Sequence, residues 1–202
     1  YLLTVATLLN ASASSIVNAW LPDEGGFGTS FATAGDGSEV YGSAQEALNR
    51  VSDALFYVEK QTKDMKLALP AGIAGGCDAN TCPELLESQH AQASKVHILN
   101  NLEAARYLLV GTREAGDEGL GLIAILEDAG AAELASNMLT AVTEAHTFIA
   151  SIEGTFAEAL ASNPELVIQA HDMVKAFADL LKTEFVTTLD LDIPKRAAGD
   201  ND

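Results

Sequence analysis

Apolar residues recur along this chain at spacings of three and four, the period that puts them on one face of a helix. The first run, Leu2, Leu3, Val5, Ala6, Leu8 and Leu9, continues to about Trp20 and stops at Leu21-Pro22, where proline cannot prolong a helix. Residues 22–42 are rich in Gly, Ser, Asp and Thr, with Phe27, Phe31 and Tyr41 as anchors, which predicts a long ordered loop. Ser43 and Glu46 have the spacing of a capping box, and Ala47, Leu48, Val51, Ala54, Leu55 and Val58 form the apolar side of a second helix. A loop over about 67–82 follows, and Pro83 suits the first turn of a third helix running to Gly111. A short helix over 119–128, capped by Asp117, comes next. Leu134, Met138, Val142, Ala145, Ile149, Ile152, Phe156 and Leu160 then keep one face apolar for about seven turns. Asn163-Pro164 caps and starts the last helix, which buries Val167, Ala170, Val174, Phe177, Leu181 and Phe185. The acidic tail 190–202 is charged and interrupted by proline, so it lies outside that core.

No period-two alternation and no repeat of fixed length competes with this pattern, so the fold class is all-α. Four long helices with a leading one and a short one imply an up-and-down helical bundle. At 202 residues and 48% hydrophobic content, the chain can bury a sizeable core as one domain, 1–202.

Charge narrows the partners. Lys and Arg number 11 against 29 Asp and Glu, a net charge of -18. Nucleic acid needs a basic face, so it is not an expected partner, and anionic membrane surfaces are disfavoured for the same reason. The acidity otherwise reads as a solvated surface. No run reaches the roughly 18–20 apolar residues of a membrane span, and no basic segment precedes an apolar one, so no transmembrane segment is expected. The chain opens at Tyr1, without methionine, as if inside a helix, and upstream sequence is expected to precede it.

Cys77 and Cys82 stand in Gly-Gly-Cys-Asp-Ala-Asn-Thr-Cys-Pro. The spacing reads as a small disulfide loop of an exported protein, whereas a metal site would need further thiol or histidine ligands from elsewhere. Closing so short a loop adds little global stability, and its expected part is to shape the entrance to the third helix.

That helix carries the unusual chemistry. Glu87, Ser88, His90, Ser94, His97, Asn101 and Arg106 fall at spacings that let several share one face. Glu87 and His90 form Glu-x-x-His, the arrangement of di-iron bundles, but those need it twice with further glutamates. They are weak metal candidates. The alternative has Glu87 accepting hydrogen bonds near a helix start and His90 at the surface. Lys66 and Arg106 are candidate partners of Glu87 or another carboxylate across the bundle, with a structural ion pair as the alternative. Asn101 either bridges helices or points into a cleft. His146 and His171 read as bundle-edge histidines, and Met65, Met138 and Met173 as core packing.

The succession Lys66 to Pro70, the glycine loop, Pro83-Glu84-Leu85-Leu86-Glu87-Ser88, Ser94, Asn101-Leu102 and Gly111 resembles the imelysin-like family, peptidase family M75. Trp20, the phenylalanine-containing loop and Tyr41 fit the same order, and Gly199-Asp200-Asn201-Asp202 resembles the acidic close of such proteins. The likeness spans essentially the whole chain and corresponds to the C-terminal half of the family's usual length. It implies an exported bacterial protein, periplasmic or attached to the cell envelope, built of two helical bundles and connected with iron or haem acquisition. Within it, Glu87 and Ser88 match the family's Glu-Ser pair and Ser94 its later serine. With Lys66, Asn101 and Arg106 they are the candidates for lining a cleft shared with the N-terminal half. The signature argued for metal, Gly-x-His-x-x-Glu, belongs to that other half, and none of His90, His97, His146 or His171 fits it. No catalytic residue is assigned. The expected role is binding or scaffolding of iron, haem or another divalent metal. The alternatives are a metallopeptidase whose metal motif lies outside these residues, and a purely structural helical domain. A homodimer through an uncovered apolar face completes the expected partners.

Overall fold

The computed structural model describes residues 1–113, 119–195 and 197, among which there are helices and turns but no strand. The expected Asp117 cap and the close at 199–202 lie outside the described residues. The chain divides into two compact units, Tyr1–Val51 and Ser52–Asp202.

In the first unit, α1 (Leu2–Trp20) ends where Leu21 turns extended ahead of Pro22. Its 19 residues include no Asp, Glu, Lys or Arg and none is buried. By length and composition it is apolar enough to cross a membrane, which corrects the expectation that no segment reaches that threshold. Its pattern is nevertheless that of a packing helix. Leu2, Ala6, Leu9, Ala13, Ile16 and Trp20 make one stripe, with Thr4, Thr7, Ser14, Ser15 and Asn18 on the other side. The loop after it holds a short helix, α2 (Phe27–Ala32), and is ordered by its aromatic residues. Ring centroids lie 4.8 Å apart for Trp20–Phe27, 6.1 Å for Trp20–Phe31, 6.0 Å for Phe27–Tyr41 and 5.7 Å for Phe31–Tyr41. Three of these contacts are edge-to-face and Trp20–Phe31 is tilted, so the four rings cluster and order the loop. Ser43 Oγ accepts the Glu46 N–H (3.1 Å) and the Glu46 carboxylate accepts the Gly42 N–H (2.9 Å), starting α3 (Ala44–Leu55) with a capping box offset by one residue.

The second unit is a closed ring of helices. A π-helical segment, Val58–Ala68, packs on α4 (Ser94–Val110) and α8 (Glu165–Leu180), and α6 (Ala132–Ser151) packs on the same two. Leu67, Ile98, Leu102, Leu109, Met138, Val142, Ile149, Val174 and Phe177 fill the centre. Short elements complete the unit: α5 (Leu122–Asp128), α7 (Phe156–Ser162), a second π-helical turn at Leu181–Phe185, and α9 (Val186–Thr188).

Several boundaries differ from the pattern's expectation. The seven-turn helix is two helices, because Gly154 sits at φ +68° and Thr155 caps α7 in a full box with Glu158. Thr155 Oγ1 accepts the Glu158 N–H at 3.2 Å while Glu158 Oε2 accepts the Thr155 N–H at 2.8 Å, which holds the Glu158 carboxyl below its ordinary range. Lys95 Nζ donates to the carbonyls of Ile152 and Gly154, both at 2.7 Å, and pins this corner to the start of α4. Ile152, Phe156 and Leu160 remain buried across the break. The third helix begins at Ser94 rather than Pro83. Pro83–Leu85 is a single 3-10 turn, Leu86 turns extended and buried, and Gln92 takes φ +53°, so residues 86–93 are irregular. The preceding helix reaches Ala68, which shortens the cysteine loop at its front. Gly121 is the N-cap of α5, and Pro164 that of α8, with no side-chain cap bond at either. Met65 is exposed rather than core, whereas Met138 is buried.

Candidate functional site

A π-helix widens each turn by bonding each carbonyl to the N–H five residues on, and it is mostly seen as a single turn at functional places. Here it lasts for 11 residues and carries Glu59, Lys60, Lys63, Asp64 and Lys66. Charged side chains so close to a packed centre need partners, because desolvation of an unpaired ion is costly. Fully buried Glu59 has them: its Oε1 accepts from Lys182 Nζ at 3.0 Å and lies 3.5 Å from Lys63 Nζ. Lys63, with 1% of its side chain exposed, also meets Asp64 Oδ1 at 2.8 Å, and Lys60 meets Asp64 Oδ2 at 3.1 Å. Lys182 stands on the second π-helical turn, so this pair joins the two π-helical stretches. Among the described residues, Glu59 Oε2 and Ser52 Oγ are buried without a hydrogen-bond partner.

Lys66 continues the charged series toward the surface. Its Nζ lies 3.1 Å from Glu87 Oε2, with the lysine side chain 8% exposed and the glutamate 43%. Asn101 on α4 is satisfied once its amide is oriented with the oxygen toward Lys66 Nζ (2.9 Å), so that its amino group donates to the His97 carbonyl (2.9 Å). The Tyr57 ring centroid is 5.3 Å from the same ammonium, a cation–π distance. Ser88 N–H donates to Ser94 Oγ at 3.3 Å, which ties the irregular segment to the first residue of α4.

Five residues expected to line a cleft therefore meet around one corner: Lys66, Glu87, Ser88, Ser94 and Asn101. They do so from three places in the fold rather than from one helix face, which corrects the shared polar stripe. Arg106 is not among them. It holds Glu103 in a two-pronged pair, both bonds at 2.9 Å, and stacks 5.0 Å from the Tyr107 ring centroid. The Arg106 hydrogen bonds hold the Glu103 carboxyl at about 2. His90 and His97 are exposed, and among the described residues no three His, Cys, Asp or Glu side chains are grouped as a metal ion requires. Glu87 and His90 are not part of such a group among the described residues.

Cys77 and Cys82 are joined in a disulfide. The Cys82 N–H donates to the Pro70 carbonyl at 2.8 Å, and a Cβ on Gly72, which sits at φ +74°, would collide with the Asn80 carbonyl. The loop is therefore tied twice, at Pro70–Cys82 and again at Lys66–Glu87. Together these ties set where Glu87 stands.

Sequence reasoning missed Glu59, Lys63, Asp64, Lys182 and Tyr57. A signal was present, since Glu59, Lys63 and Lys66 recur at four and three along the segment. Such spacing ordinarily marks a solvated face, and only the packing of α8 on this segment turns it inward. Chemically, the corner gathers a nearly buried ammonium, an amide and a hydroxyl near one half-exposed carboxylate. The family model described as Imelysin, peptidase M75, matches residues 1–183. No curated protein and no solved structure matches the chain.

Proposed function

The chain belongs to the imelysin family, and from that membership we propose that it is an exported bacterial protein connected with iron or haem acquisition, acting by binding rather than by chemistry of its own. The observation that carries this reading is the Lys66–Glu87 corner. A carboxylate with 43% exposure pairs with a nearly buried lysine that also donates to Asn101. That geometry supports binding, and among the described residues of the corner no nucleophile is paired with a base. The cleft is shared with a second helical bundle of the same protein, which supplies the remaining ligand contacts. The disulfide Cys77–Cys82 supports export, since such bonds persist in oxidising compartments. The uncharged helix α1 is compatible with it.

Calorimetric titration with ferrous and ferric iron, on this chain and on the protein carrying both bundles, tests the reading. Binding is expected with both bundles present and without turnover of peptide, and Glu87→Ala is expected to weaken it more than it lowers the melting temperature. An unchanged affinity beside a large loss of melting temperature would make Glu87 structural. Peptide hydrolysis that stops on chelation would instead establish the metallopeptidase reading.

A further inference from the structure

At the Lys66 corner the lysine is nearly buried and its carboxylate is half exposed. Lys66 sits on a packed π-helical turn with its side chain nearly buried, whereas Glu87 lies in the irregular stretch between Pro83–Leu85 and α4. An ammonium has three N–H groups to satisfy. One donates to Glu87, one to the Asn101 carbonyl, and the Tyr57 ring lies beside the head at 5.3 Å. Among the described residues Glu87 is the carboxylate paired with this ammonium.

Stripping Glu87 away with nothing in its place would leave a desolvated cation, which is unfavourable. The pair itself is exposed at its glutamate end, and pairs of that kind contribute little net stability. A carboxylate from outside that brings contacts of its own therefore exchanges with Glu87 at small net cost, while the lysine stays where it is.

We propose that this corner is a binding site for a small organic carboxylate, with Glu87 occupying the ligand's place until it is displaced. The inference concerns the same corner but does not depend on iron binding there; it names a second class of ligand. One carboxylate oxygen already fits 3.1 Å from Lys66 Nζ. A multiply charged tetrahedral anion suits the place less, because the Asn101 carbonyl faces the same ammonium and Asp64 and Glu59 belong to the same helical segment.

The test is an NMR titration of the whole chain at constant ionic strength with sodium acetate, and with sodium phosphate for comparison. It uses the wild type, Glu87→Ala, Lys66→Met, and Lys175→Met as a surface control. Removing a tethered competitor raises apparent affinity, so acetate is expected to bind Glu87→Ala about tenfold more tightly than wild type. It is expected to be lost in Lys66→Met and unchanged in Lys175→Met. Equal acetate affinity in Glu87→Ala and wild type overturns the proposal, as does tighter binding of phosphate than of acetate. Glu87→Ala decides alone should Lys66→Met fail to fold. If acetate shows no gain while Glu87→Ala still weakens iron binding, the carboxylate assignment falls and the cleft reading stands. Tightened acetate binding beside unchanged iron affinity gives the reverse.

Discussion

Helix α1 runs for 19 residues without a charge and buries none of them, while the 11-residue π-helical segment Val58–Ala68 buries Glu59, Lys63 and Lys66. The two invert the usual rule of apolar inside and charged outside. In the segment, each buried ion has an opposite charge within reach, Glu59 with Lys63 and Lys182, and Lys66 with Glu87. In α1, Leu2, Leu3, Leu8, Leu9, Ile16 and Val17 are exposed although they are as apolar as any core residue. Burial here follows available partners rather than residue type. Hydrophobicity supplies a driving force, but the force acts only where another element comes to cover the face.

The strongest way to break this comparison is to remove one buried partner. Glu59→Ala leaves Lys63 and Lys182 without their shared carboxylate, and losing one member of a buried pair typically costs about 3–5 kcal/mol. Urea unfolding of the variant should show that loss, and a change below about 1 kcal/mol would mean the network is not needed for packing. Next in size is a matched pair of leucine truncations. Leu67→Ala in the π-helical segment, at a fully buried position, should cost about 2–5 kcal/mol. Leu9→Ala in α1, where the side chain is 70% exposed, should stay within about 0.5 kcal/mol. Similar losses at both sites would show that α1 is covered in solution and erase the contrast.

The smallest effect concerns a surface pair, where charge sits in its ordinary place. Arg106 holds the Glu103 carboxyl at about 2 in the folded chain, against an ordinary value of 4.5. A depressed folded value contributes stability that is full above the ordinary value and is lost as pH falls from there toward 2. Both side chains are about one-third exposed, so Glu103→Gln should cost at most about 1 kcal/mol at neutral pH. It should also flatten the acid limb of stability between pH 4.5 and 2, followed by thermal unfolding across that range. A steeper limb in the variant would reverse the sign argued here.

Much of the fold is legible in the spacing of apolar residues. The leading helix, the buried faces of α6 and α8, and the join of Cys77 to Cys82 follow from local pattern and short separation, because a helix period and a short loop depend on neighbours in the chain. Lys66, Glu87, Ser88, Ser94 and Asn101 stood out through their family pattern and their polarity, but their meeting at one corner was not legible. Nor were the break at Gly154 and the delayed start of α4, since the apolar period runs unbroken through the first, and the second depends on Leu86 being buried and Glu87 reaching Lys66. The sequence by itself determined most of the helical stretches and which of their faces seek cover. Only the tertiary structure decided that charged residues of one helix would lie inside. That outcome depends on the meeting of Glu59 and Lys182, 123 residues apart, and desolvating an ion is tolerable only once its distant partner has arrived.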